Sequence, residues 1–314
     1  MPASDARQAL GAATDGLRAA GVADPRLDAE VLLAEAMGLD RAMLIADATA
    51  AVSPSAARAF GEMVRRRLRR EPVAYIVGHK GFRHIELAVD RRVLVPRPET
   101  ELLVEVALER APARLLDVGT GSGAIALAVA DELPRCEVTA TDTSPGALEV
   151  ALANAARLGL ADRVTFTQGT LPERDGGDKP GAGFDLVLAN LPYVAERDWA
   201  SLQPEVTQWE PREALLAGPD GLDAYRSFIP QCDRHFPPIG GEMAITPGSR
   251  GALAVEVGEG QALAVAELMR GAGFEAIEVR RDLAGIERVV VGEAPGRFYT
   301  PGHVKATEPG EEER

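Results

Sequence analysis

The stretch that most restricts the fold is Asp117-Val118-Gly119-Thr120-Gly121-Ser122-Gly123-Ala124, set between the apolar run Ala113–Gly119 and the alanine-rich segment Ala124–Leu133. A short apolar run, then glycines, then helical periodicity reads as strand, tight turn, helix. Glycines there let the backbone reverse sharply and let a ligand approach it, while free N–H groups at a helix start favour an anionic group. Gly119, Gly121 and Ala124 satisfy the pattern G-x-G-x-x-G/A, and Asp142 follows at about the spacing of an acid that holds ribose hydroxyls. This spacing leaves open which nucleotide cofactor binds, and whether Asp142 instead caps the helix after it.

The same alternation continues downstream. Strands are expected at 113–119, 137–142, 163–169, 184–190, 251–258, 275–282 and 287–293, with helices at 124–133 and 145–159 between the early ones. Strands alternating with helices imply an α/β fold, a parallel sheet covered on both faces, and the two closely spaced last strands imply an antiparallel hairpin at one edge. Upstream, Leu10, Ala13 and Leu17, and then Phe60, Met63, Val64 and Leu68, mark single apolar stripes of helices, and Asp24-Pro25 and Ser53-Pro54 read as helix starts. The organisation expected is a helical bundle at 1–72, a β-hairpin linker at 73–98, an α/β domain at 99–298 and a disordered acidic tail at 299–314. The segment Gly240–Ser249 fits none of these elements.

Charge divides along the same line. The net charge of −14 splits into 15 basic against 12 acidic residues in 1–98, and 19 against 36 in 99–314. An acidic 99–314 half argues against wrapping nucleic acid, which depends on Lys and Arg neutralising phosphates. The run Arg65, Arg66, Arg67, Arg69 and Arg70 closes what reads as the third helix of the bundle. It reads as a solvated helix end whose charge suits the helix dipole, with a docking patch for an acidic or RNA-associated partner as the alternative. No apolar run approaches the roughly 20 residues of a membrane span, and the N-terminus lacks a signal-peptide layout, so a cytoplasmic protein is expected. Cys136 and Cys232, and the histidines at 79, 84, 235 and 303, show no ligand spacing, so neither metal nor disulfide is expected.

At the end of the fourth strand stands Asn190-Leu191-Pro192-Tyr193. In an open α/β sheet this strand end projects toward whatever the glycine loop holds. The tetrapeptide resembles the [N/D/S]-P-P-[Y/F/W] signature of S-adenosylmethionine-dependent methyltransferases that act on planar nitrogens. Glu71–Gly78, Phe82, Val95–Glu101, the loop Asp117–Ala124, Gly221-Leu222-Asp223, Glu256-Val257-Gly258 with Gln261, and Asp282–Gly285 with Arg288 together resemble the release-factor glutamine methyltransferase family. The resemblance spans roughly 5–298, and Val95–Glu101 is its most specific element.

That resemblance implies a Rossmann-like, seven-stranded methyltransferase domain behind an N-terminal helical substrate-recognition domain. It implies S-adenosyl-L-methionine as cofactor and N5-methylation of the glutamine in the Gly-Gly-Gln motif of class 1 peptide chain release factors, which would be the protein partners. A monomer without membrane or direct nucleic-acid contact is expected. The family's catalytic residues map to Asn190, Leu191, Pro192 and Tyr193. Its cofactor contacts map to Gly119, Thr120, Gly121, Ser122 and Gly123 for the methionine part, Asp142 for the ribose, and Thr170 and Leu171 for the adenine, with Asn190 common to both sets. Two positions depart from the family: Leu191 stands where Pro is usual, and Thr170 where an acid is common. Asn-Leu-Pro-Tyr is also the form of rRNA adenine dimethyltransferases, so an adenine N6-methyltransferase acting on RNA or DNA is the alternative. A nucleotide-binding module without chemistry is a third reading.

Overall fold

The computed structural model describes residues 5–172, 183–237 and 251–295. The segment Gly240–Ser249, the acidic tail and His303 lie outside the described residues.

The chain opens with five helices: α1 (Ala6–Ala19), α2 (Pro25–Met37), α3 (Arg41–Ala46), α4 (Pro54–Leu68) and α5 (Val73–Val77). The Asp5 carboxylate accepts the Gln8 N–H at 2.8 Å, and the Ser53 hydroxyl accepts the Ala56 N–H at 3.2 Å, each satisfying a helix-start donor. Asp24 precedes α2 without a side-chain capping bond. Leu10, Leu17, Leu32, Leu33 and Phe60 form the buried centre of this bundle.

Three expectations for this region change. The short α3 intervenes, so the arginine-rich helix is the fourth and not the third. The linker is a hairpin only from β1 (His79–Phe82) to β2 (Ile85–Ala88). Residues 73–77 are helical because Val73, Ile76 and Val77 follow a helical period between Pro72 and Gly78, which ends the helix at φ 86°. The solvated helix end holds for Arg65 and Arg69, which are exposed, but not for the other three arginines: Arg66 pairs with Glu71, Arg67 with Asp28 and Glu205, and Arg70 with Glu205. Only tertiary contact places Asp28 and Glu205 there.

The remaining elements are α6 (Glu101–Arg110), β3 (Arg114–Val118), α7 (Ala124–Glu132), β4 (Glu137–Asp142), α8 (Pro145–Leu158), β5 (Val164–Gln168), β6 (Leu186–Ala189), α9 (Pro204–Trp209), α10 (Asp223–Cys232), β7 (Ala252–Glu256), α11 (Ala262–Gly271), β8 (Glu275–Arg281) and β9 (Glu287–Glu293). Seven strands form one sheet in the order β5-β4-β3-β6-β7-β9-β8. The first five are parallel, and β9 runs antiparallel between β7 and β8. Every residue of β6 and β7 is buried, as strands covered on both faces require.

The chain moves outward from β3 through β4 to β5, then returns to lay β6 on the other side of β3. The crevice beyond the carboxyl ends of β3 and β6 is therefore the switch point at which such sheets bind ligands. Val118 is in register with Thr141, Ala189 with Val118, and Val255 with Ala189. One residue further on, Asp142, Gly119, Asn190 and Glu256 stand side by side along the sheet's end.

Candidate active site

The glycine loop is shaped by three residues with positive φ: Gly119 at 75°, Gly121 at 57° and Gly123 at 85°. Side chains at such angles are strained, which is why the turn uses glycine. The Gly119 and Thr120 N–H groups both donate to the Thr141 carbonyl at 2.9 Å, folding the loop over the end of β4. Space beside Gly121 is open, with no atom within 4 Å of where a Cβ would stand, so the backbone there is accessible to a ligand.

Asp142 joins this loop to the next. Its Oδ2 accepts the Gly121 N–H at 2.9 Å and its Oδ1 the Ser144 N–H at 2.8 Å. The cap of α8 is Ser144, whose hydroxyl accepts the Ala147 N–H at 3.2 Å, so Asp142 is not the helix cap. Under the loop lies Asp117, fully buried, with Oδ2 accepting the Thr120 hydroxyl at 2.6 Å and the Ala126 N–H at 3.2 Å. Its Oδ1 is unpaired, and burial pushes the carboxyl up to about 7, with the charge of Asp142 adding to the rise and the two donors opposing it.

Asn154, on α8, escaped the sequence reading. Its Nδ2 donates to the Ser122 carbonyl at 2.9 Å and the Ala88 carbonyl at 3.0 Å, and its Oδ1 accepts the Ala88 N–H at 2.7 Å. It thus ties the hairpin to the glycine loop from a fully buried position. A polar residue on the apolar stripe formed by Val150, Ala151 and Ala155 was the available signal.

At the end of β6, the Asn190 Nδ2 donates to the Thr100 hydroxyl at 3.1 Å. That bond commits the nitrogen end of the amide and leaves Oδ1 for a partner in the crevice. The Asn190 carbonyl and the Leu191 side chain lie 3.6 and 3.8 Å from where a Gly119 Cβ would be, so the two strand-end loops touch. Two glycines and a glutamine hold the chain beyond Pro192. The Gln261 Oε1 accepts the Gly258 N–H at 3.0 Å, and its Nε2 donates to the Tyr193 carbonyl at 2.9 Å. Gly221 presses on the same carbonyl: a Cβ there would stand 2.3 Å from it. Burial, with Glu256 next, raises the Tyr193 phenol above its ordinary value and keeps it protonated.

A cavity of about 390 Å³ opens along this edge. Gly119, Thr120, Gly121, Ser122, Asp142 and Thr170 line one side, and Asn190, Leu191 and Pro192 the other. Pro96, Arg97 and Thr100, from the stretch read as most specific, complete the wall. Gly123, Leu171 and Tyr193 are not on it. A Cβ at Gly123 would come within 2.8 Å of Leu127, so this glycine serves helix packing. Leu171 and Tyr193 pack against the apolar cluster beneath β6 and β7. The volume falls in the range of small-molecule sites, and an acid at the end of β4 beside an open glycine backbone suits a nucleoside-derived cofactor. Among the described residues, no group of three or more His, Cys, Asp or Glu side chains is arranged to hold a metal, and no helix is long and apolar enough to cross a membrane.

Sheet order, switch-point glycine loop and the strand-end Asn-Leu-Pro-Tyr define a methyltransferase domain. Comparison with known proteins agrees: residues 115–209 match the model of a methyltransferase domain, and residues 8–78 that of the PrmC N-terminal domain. The release factor glutamine methyltransferase of Geobacter sulfurreducens is 42% identical over 274 residues, 87% of this chain and 90% of that protein. Its counterpart in Moorella thermoacetica is 43% identical over 289 residues, 90% of this chain and 96% of that protein. The solved protein-(glutamine-N5) methyltransferase (release factor-specific) of Alicyclobacillus acidocaldarius is 27% identical, covering 64% of this chain and 94% of that one with a TM-score of 0.34. The chain belongs to the release factor glutamine methyltransferase family.

Proposed function

We propose that this protein methylates the side-chain amide nitrogen, N5, of the glutamine in the Gly-Gly-Gln motif of class 1 peptide chain release factors, with S-adenosylmethionine as donor. The observation that carries the reading is the Asn190 amide, anchored through Nδ2 to Thr100 and set beside Gly119 at the switch point. Gly119, Thr120, Gly121 and Ser122 hold the methionine part of the cofactor, Asp142 its ribose, and Thr170 borders the adenine. When bound, the cofactor supplies an electrophilic methyl group.

A primary amide nitrogen is a weak nucleophile because its lone pair is delocalised into the carbonyl, so the protein's main task is orientation. The substrate NH₂ has two donors, and the Asn190 Oδ1 and the Leu191 carbonyl are the two acceptors that fix its plane. As the nitrogen becomes tetrahedral it gains positive charge, which those oxygens stabilise more than they stabilise the planar amide. Replacing the family's proline by Leu191 leaves the carbonyl in place, and Pro192 still restrains the loop. Tyr193 backs the loop with an aromatic wall. No strong base is needed, since the alkylated, positively charged nitrogen readily sheds its proton to water.

An adenine substrate is disfavoured by the similarity to the glutamine enzymes over nearly the whole chain. The paired Arg66, Arg67 and Arg70 are also unavailable as a phosphate-binding channel. The test is incubation with methyl-labelled S-adenosylmethionine and an unmethylated release factor. Label on the Gly-Gly-Gln glutamine is expected, and its absence overturns the proposal.

A further inference from the structure

Glu256 ends β7 one residue beyond Val255, the register partner of Ala189, so it stands beside Asn190 at the sheet's end. It is 1% exposed, and neither carboxyl oxygen reaches a hydrogen bond of normal geometry. A carboxyl so placed is costly to fold around, which argues for a task. Its polar surroundings are the Thr100 hydroxyl, Glu99, Arg97, Arg288, Tyr193 and Tyr225. Most are committed elsewhere. The Tyr225 hydroxyl donates to the main-chain carbonyl of Glu256 at 2.7 Å, Arg288 pairs with Asp282 at 3.0 Å, and Arg97 with Glu210 at 2.6 Å.

The Thr100 hydroxyl is different. It already accepts from the Asn190 Nδ2 and has one proton to give. We infer that Glu256 is a positioning residue: its carboxylate accepts a hydrogen bond from the Thr100 hydroxyl, which keeps the Thr100 oxygen an acceptor for Asn190 and keeps the Asn190 side-chain oxygen turned toward the substrate amide. The inference rests on the reading of Asn190 as the group that binds that amide.

Protonation reverses the relay. A neutral Glu256 donates to Thr100, the Thr100 proton turns to Asn190, and the Asn190 amide flips to present its own NH₂ to the donors of the substrate. Burial first, and Glu99 after it, push the Glu256 carboxyl up to about 7, against the opposing pull of Thr100, Arg288 and Arg97. The two arrangements therefore exchange near neutral pH.

The experiment is a pH profile of methyl transfer to a release factor, from about pH 5.5 to about pH 9, for wild type, Glu256→Gln and Thr100→Val. Wild-type kcat is expected to fall about tenfold per pH unit on the acid side of about 7. Glu256→Gln keeps an acceptor that does not titrate, so its acid limb should be flat, with cofactor affinity unchanged. Thr100→Val should lose about ten- to a hundredfold in kcat. A Glu256→Gln enzyme that retains the wild-type acid limb overturns the inference. The same titration is read without substrate from the Asn190 side-chain NH₂ resonances of ¹⁵N-labelled wild-type protein, whose shift should turn over near neutral pH. Asn190 resonances that do not titrate overturn the relay even if the glutamine is methylated, whereas titrating resonances with no methyl transfer overturn the functional reading and leave the relay standing.

Discussion

Arg67 and Glu205 meet at 2.7 Å across the seam between the N-terminal helices and the catalytic sheet, with only 7% and 11% of their side chains exposed. Asp28 pairs with Arg67 on its other side, and Arg70 reaches both oxygens of Glu205. Glu205 lies on α9, whose other end is held by the linker: Glu210 just beyond it accepts from Arg97, and Arg91 stacks 4.1 Å over Trp209. Pro211 then reaches the cavity wall. The helical bundle is thus bolted to the segment that borders the active site.

Glu205→Ala should therefore act as a structural lesion. It leaves two largely buried guanidinium groups short of their shared carboxylate, and the expected loss is about 3 kcal/mol, moderated because Asp28 remains for Arg67. Urea unfolding measures it, and a loss below about 0.5 kcal/mol would mean the pairing is of the exposed, weak kind.

Asn190→Ala removes the acceptor that orients the substrate amide without altering the glycine loop. Turnover should drop about a hundred- to a thousandfold, as for other single groups that stabilise developing charge, while cofactor affinity measured by calorimetry stays within about threefold. Equal losses in both would relocate Asn190 to a cofactor role.

Asp142→Ala should separate in the opposite sense. It abolishes the acceptor of the Gly121 and Ser144 N–H groups as well as the expected ribose contact. A cofactor Kd raised about ten- to a hundredfold is expected. Calorimetry decides, and an unchanged Kd counts against the ribose assignment.

Gly221→Ala tests the support behind the reactive loop. The new Cβ would meet the Tyr193 carbonyl at 2.3 Å on a backbone with φ of 79°, so that loop must shift. Because misplacement of an orienting group by about 1 Å can cost about a hundredfold, kcat should fall steeply with little change in cofactor binding.

Asp117→Asn gives a pH signature. The carboxyl titrates near 3.8 when unfolded and is pushed up to about 7 by burial in the native state. Between those values the native protein holds the extra proton, so this residue's contribution is full at low pH and is lost as pH rises through the native value. Asn does not titrate. Relative to wild type, the variant should gain stability between about pH 4 and pH 7, read as a rising difference in denaturation midpoint. A constant difference would place the Asp117 value near that of a solvated acid.

Local sequence carried much of the fold because local physics decides much of it. The strand-turn-helix run at Asp117–Ala124 and the helix Pro145–Leu158 are set by neighbours a few residues away. Residues 73–77 misled because a five-residue apolar run carries both periods, and flanking Pro72 and Gly78 decide for helix. Local pattern can mark Asn154 and Gln261 but not their partners, which lie 66 and 68 residues away.

Sequence alone thus determined the α/β class, the strand-end placement of Asn190-Leu191-Pro192-Tyr193, the glycine loop with Asp142, and, by resemblance, the chemistry. Those rest on short-range backbone preferences and on a motif that lies on one strand end. Only the tertiary structure decided that Arg67 and Arg70, within the arginine run, form an internal clasp with Glu205, that Thr100 holds the Asn190 amide, and that Leu171 and Tyr193 back the cavity without lining it. The reason is distance along the chain: Arg70 and Glu205 are 135 residues apart, and Asn190 and Thr100 are 90 apart. Whether a charge is solvated or paired, and which end of an amide is free, depends on what folding brings beside it.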